Sequence, residues 1–216
     1  MSDEIQPVTL SDGTSIAAVR PRATRGPLAV RLLRASRVVD EVTLPYPRAG
    51  LAGGRLIVSP TERFVVLSMF SGQSEEGYEL FRLADGITRV ASLPYQFGEA
   101  ASFCFSPDES VVVMALAFHS SEWWIPWEEG EGQPDGAGRL AFAFGQLRVH
   151  AIATNRISVH ELRVSVAEAW QPARGEYDPD LHPRFVAERC LALNMPWGEV
   201  ELSLPIGDTF TFSVDP

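Results

Sequence analysis

Two stretches of this chain repeat one another at a spacing that few architectures share. Leu44-Pro45-Tyr46 stands ahead of Ser59-Pro60-Thr61-Glu62 and an apolar run from Phe64 to Phe70. Leu93-Pro94-Tyr95 stands ahead of Ser106-Pro107-Asp108-Glu109 and a run from Val111 to Phe118. The Leu-Pro-Tyr copies lie 49 residues apart and the Ser-Pro copies 47 apart, and five of the twelve positions from Ser59 are identical to those from Ser106. A period in the forties, with several short strands in each copy, marks a stacked blade-like unit that cannot bury its apolar faces without a neighbour.

The strands can be read one by one. Phe64–Phe70 and Val111–Phe118 are apolar on both faces; their β-branched content, short length and flanking turn residues predict strands covered on both sides. Tyr78–Leu83 and Ile87–Leu93 flank Ala84-Asp85-Gly86 and read as a hairpin, with Asp-Gly expected to supply a positive φ. Ser15–Val19, Leu28–Leu33 and Val38–Leu44 keep the same rhythm after the Ser11-Asp12-Gly13 turn, and Leu140–Ile152 and Ile157–Val166 form a longer pair around Asn155. Near the end, Val200, Leu202 and Leu204 alternate with Glu199, Glu201 and Ser203, then Phe210, Phe212 and Val214 with Thr209, Thr211 and Ser213. Such alternation describes strands with one wet face. Helical periodicity is not sustained anywhere.

Phe105-Ser106-Pro107-Asp108 resembles the turn that opens blades in the WD40 and TolB-like β-propeller superfamilies, with Ser59-Pro60 as a weaker copy. The resemblance implies that an apolar residue ends a blade's innermost strand and that Ser-Pro-Asp turns the chain into the next. It departs from the pattern in lacking a closing Trp-Asp dipeptide and in carrying Glu109 where Gly often follows the Asp. The expectation is an all-β, propeller-like chain forming one domain over residues 1–216, with four blades or five if the termini share one; a β-sandwich is the alternative. Residues 119–138 are read as a loop inserted into a blade and 171–183 as a Pro-rich connector. An open blade edge would be a place for a second copy to bind. The resemblance implies a fold and no activity.

Charge and composition remove whole classes of chemistry. All 18 basic residues are Arg, so no Schiff-base lysine, P-loop lysine or Ser-Lys dyad is available. A formal charge of -10 argues against binding nucleic acid through its phosphates. That figure averages a basic stretch, residues 20–48 with seven Arg, and an acidic remainder. The N-terminus has no signal-peptide pattern and no apolar run is long enough to span a membrane. Two distant cysteines, Cys104 and Cys190, suggest no disulfide framework, and the expected location is the cytoplasm.

The strongest site candidate is the inserted loop. Trp123, Trp124 and Trp127 provide large amphipathic surfaces of the kind used on protein partners or sugar rings, and Glu128, Glu129, Glu131 and Asp135 favour a cationic partner. Asp178, Asp180 and His182 alternate, so on an extended segment they share a face, and Asp180-Leu181-His182 matches the Asp-x-His opening of metallophosphoesterases. The family's other signatures are missing, so the triplet reads as an ordinary polar connector. His160 is expected at the core boundary and His150, sharing a face with Arg148, in solvent. No Gly-x-Ser-x-Gly elbow or two-His zinc helix occurs. Gly50-Leu-Ala-Gly-Gly54 reads as a turn, and Cys104 as a small buried hydrophobe. Together these readings predict a non-catalytic interaction module without cofactor or resident metal, binding a protein or small ligand. A carbohydrate-binding protein and a metal-dependent hydrolase are the alternatives.

Overall fold

A computed structural model describes residues 5–19, 28–44, 53–70, 75–97, 100–117, 133–134, 140–166, 181–195, 198–205 and 209–214. Every regular element among them is a strand. The chain divides into two compact units, Met1–Gln96 and Phe97–Pro216.

The first unit holds two sheets, each completed before the next begins. β1 (Val8–Thr9), β2 (Ser15–Val19), β3 (Ala29–Arg34) and β4 (Arg37–Thr43) form sheet 1 in that order. β5 (Gly53–Val58), β6 (Phe64–Phe70), β7 (Glu75–Leu83) and β8 (Ile87–Phe97) form sheet 2, again in chain order. The two sheets share one core, in which Ile16, Val30 and Leu32 meet Val65, Leu67, Met69 and Phe81. A sandwich with Greek-key connections would send the chain back and forth between its sheets. Here the chain finishes one meander and starts another, as successive propeller blades do.

The second unit is built on sheet 3. β9 (Ala100–Phe105), β10 (Val111–Ala117), β12 (Leu140–Ala151) and β13 (Arg156–Val166) pair in sequence, with the short β11 (Gln133–Pro134) bridged to the start of β12. Sheet 4 comprises β14 (His182–Ala187), β15 (Cys190–Met195) and β16 (Gly198–Ser203). The last strand, β17 (Thr209–Val214), joins sheet 3 in parallel with β13. Val113, Ala115, Leu147, Leu162 and Val164 of sheet 3 share a core with Leu191, Leu193 and Leu202 of sheet 4.

Burial follows the apolar pattern. Phe64 to Met69 and Val112 to Ala117 are buried without a break, as two-sided strands require. In β16, Leu202 is buried and Val200 half-buried while Glu199 and Glu201 are exposed, so this strand has its wet face. Each large aliphatic side chain taken out of water contributes about 1.5–3 kcal/mol, which is why the unbroken runs sit mid-sheet. Among the described residues the fold is all-β and propeller-like, built from four sheets.

Three expectations need correction. Gly53 and Gly54 belong to β5, not to a turn: a Cβ on Gly54 would lie 2.5 Å from the Ser68 carbonyl oxygen of the neighbouring strand. The β7–β8 hairpin forms, but Gly86 is not in the left-handed region. Its missing Cβ instead leaves room for the Asp40 carboxylate, which accepts the Ile87 amide at 2.8 Å. The end of the 171–183 stretch is strand rather than connector, since His182 and Pro183 open β14; residues 171–180 lie outside the described residues.

Candidate functional site

The repeated Ser-Pro segments form the same turn twice. Ser59 and Ser106 each accept an amide three residues on, Glu62 and Glu109, at 2.9 Å. Each serine amide also bonds back across the turn, to Phe64 and Val111 oxygens at 2.9 Å. The serine hydroxyls accept the amides of Phe64 and Val111 at 3.0 Å, closing the turns from inside. Glu62 and Glu109 take φ of 59° and 56°, the left-handed region where glycine is usual. That explains the departure from the propeller-type pattern: the turn geometry is kept and glutamate occupies the glycine position.

Leu10 to Thr14 is a third, shorter copy. Gly13, with φ 80°, donates to the Leu10 carbonyl at 3.0 Å, and the Thr14 amide donates to Asp12 at 2.8 Å. Ser110 donates to Asp108 in the same way at 3.0 Å. These hydrogen bonds hold both carboxyls below the usual aspartate value, the Thr14 amide leading at Asp12 and the Ser106 hydroxyl at Asp108. The alignable signal was Asp12-Gly13-Thr14 against Asp108-Glu109-Ser110, concealed by the missing proline. Turns one and two are tied together, because the Glu62 carboxylate accepts the Ser11 amide at 2.8 Å and its hydroxyl at 2.6 Å.

Two buried polar groups, Glu79 and His160, are likewise committed to structure. Glu79, fully buried in β7, takes a two-point contact from Arg89 and the Ser92 hydroxyl at 2.7 Å. Such an arrangement holds a carboxylate in place; it does not present one to a substrate. His160 is buried at the core boundary, as expected, with Nε2 2.8 Å from the Ser158 hydroxyl.

His150 is buried, and so is Arg148, against the expectation of exposure. Both sit on β12, whose register partners on β10, Val112 and Met114, are buried too, so this face of sheet 3 is covered along β10 and β12 even though Val159, opposite Arg148 on β13, is exposed. His150 Nε2 meets Asn155 Oδ1 at 2.9 Å, and burial lowers its proton affinity. Cys104 is half-buried, and its thiol is pushed up to about 12 by burial, which leaves it inert as a nucleophile. Cys190 is raised by burial and by the neighbouring Glu201.

Trp123, Trp124, Trp127, Glu128 and Glu129 lie outside the described residues, as do Asp178 and Asp180. His182 is described: it is exposed on β14, with Nδ1 3.1 Å from the Ser102 hydroxyl of β9. Among the described residues no group of three His, Cys, Asp or Glu side chains converges as a metal site would need. Among the same residues, no helix is long and apolar enough to cross a membrane.

No family model matches the chain, and no curated protein matches it. Solved structures do match. The Dos1 propeller is 9% identical, with 88% of this chain covering 42% of that one at a TM-score of 0.44. The WD40 domain of SCAP from fission yeast is 10% identical, with 94% covering 61% at 0.39. TolB from Acinetobacter baumannii is 11% identical, with 94% covering 55% at 0.32. The chain spans about half the length of the structures it matches.

Proposed function

We propose that this chain is a non-catalytic binding module that meets a protein partner through residues 119–138. The observation that carries the reading is where those residues enter the fold. β10 and β12 pair directly, with Ala117 opposite Gly145, so a short hairpin turn would join them. Residues 118–139 intervene instead and bring in Trp123, Trp124, Trp127 and the acids Glu128, Glu129, Glu131 and Asp135. The insertion leaves sheet 3 at the end of β10 opposite the Ser106–Ser110 turn, and its far side is anchored by the bridge of Gln133 and Pro134 to Ala141 and Leu140. Stiff aromatic surface beside concentrated negative charge suits a partner with apolar and cationic groups side by side.

The rest of the described polar chemistry supports a scaffold, since the carboxylates of Asp12, Asp40, Glu62, Glu79 and Asp108 hold turns, hairpins and strands together. The proposed setting is the cytoplasm, in keeping with two free cysteines. Acrylamide quenching tests the presentation of the tryptophans. In a Trp170→Phe, Trp197→Phe variant only the three insertion tryptophans emit. Quenching close to that of free tryptophan is expected; emission shielded from acrylamide would mean that they are packed away, and would remove the reading.

A further inference from the structure

Among the described residues sheet 4 has one strand fewer than sheets 1 and 2. Sheets 1 and 2 each run four strands in chain order, whereas sheet 4 stops at β14-β15-β16. Among the described residues no strand pairs with the other edge of β16. The strand that chain order would put there is β17, which instead pairs in parallel with β13, matching Leu162 with Phe210, Val164 with Phe212 and Val166 with Val214.

We propose that β17 has a second berth, antiparallel on β16, and that it exchanges between the two. Residues 204–208 separate the strands, a connection of hairpin length. The alternation of the two strands is also in phase. Setting Ser203 opposite Thr209 brings Leu202 opposite Phe210 and Val200 opposite Phe212, with Glu201 opposite Thr211 and Glu199 opposite Ser213. A slip by one residue would set apolar against polar throughout, so the match excludes odd registers, and the short connection selects this one among the even ones. The same odd-polar, even-apolar pattern serves the parallel berth, where Thr209, Thr211 and Ser213 face Glu161, Arg163 and Ser165 in register. Both berths satisfy one edge of β17 with a ladder of similar length, and antiparallel pairing is slightly the more stable per residue.

The consequence is a choice of open edge. With β17 on β13, the outer edge of β16 is the one left open among the described strands; with β17 on β16, that of β13 is. An extended partner segment adding to either edge shifts β17 to the other, because it binds one arrangement only. The test is interstrand proton contacts by NMR on the full chain, uniformly labelled with carbon-13 and nitrogen-15. The proposal expects two sets of contacts from one sample, one joining 210–214 to 162–166 and one joining 209–213 to 199–203. It also expects exchange broadening at the amides of 209–214. Either set alone, with no broadening, would overturn the exchange.

Discussion

Left-handed backbone at ordinary residues marks where this chain puts turn geometry ahead of local preference. Ala35 and Ser36 join β3 to β4 with φ of 48° and 62°, the two-residue turn for which Asn-Gly is the favoured pair. The cost of that conformation in an L-residue falls away with glycine, partly offset by the freer unfolded chain. Ser36→Gly should therefore raise stability by about 0.5 kcal/mol, and Ser36→Val should lower it by roughly 1–2 kcal/mol. Urea midpoints of the two variants read the sign directly. His150 is the second single-residue test. Burial sets its folded-state value below the ordinary 6.5. The unfolded chain thus takes up that proton first on acidification. The stability from His150 is complete above about pH 6.5 and is lost as pH falls from there through the lower folded-state value. His150→Gln should flatten this part of the stability profile between pH 7.5 and 5; a profile as steep as the parent's would show that His150 is not its source.

At the scale of elements, glycines serve more through space than through dihedral freedom. Gly145 follows Phe144 at the irregularity where β12 slips against β13, and a Cβ there would lie 2.6 Å from the Leu116 carbonyl oxygen and 3.0 Å from Leu181. The nearer atom is backbone and cannot swing aside, so Gly145→Ala should cost roughly 1–3 kcal/mol in thermal or urea unfolding. How much was legible in the sequence depends on this distinction. The Ser-Pro turns and the apolar runs of β6 and β10 can be read because residue type dictates them locally. The role of Gly86 cannot, since it depends on Asp40 arriving from another sheet. β14 and β15 carry only short apolar pieces, interrupted by Glu188-Arg189, and Pro183 within a run argues against a strand unless the strand lies at an edge, as β14 does. The burial of His150 fails to show for a related reason: alternation assumes one wet face, and sheet 3 has none along β10 and β12 beside His150.

At the scale of the whole molecule, the fold comes from repetition and the function from what interrupts it. Among the described residues the same turn recurs in sheets 1, 2 and 3, and the carboxylates of Asp40, Glu62 and Glu79 join and fill sheets 1 and 2. Residues 119–138 interrupt that pattern in the sequence, between β10 and β12. The reading of a binding module therefore rests on an aromatic, acidic insertion set into otherwise regular strands. The most direct measurement compares proteins captured from the native cell by the full chain and by its Trp123→Ala, Trp124→Ala, Trp127→Ala variant, after thermal melts confirm equal folding. Loss of a specific set of partners, by tenfold or more in quantitative mass spectrometry, is the predicted result. Retention of every partner by the folded variant would contradict it.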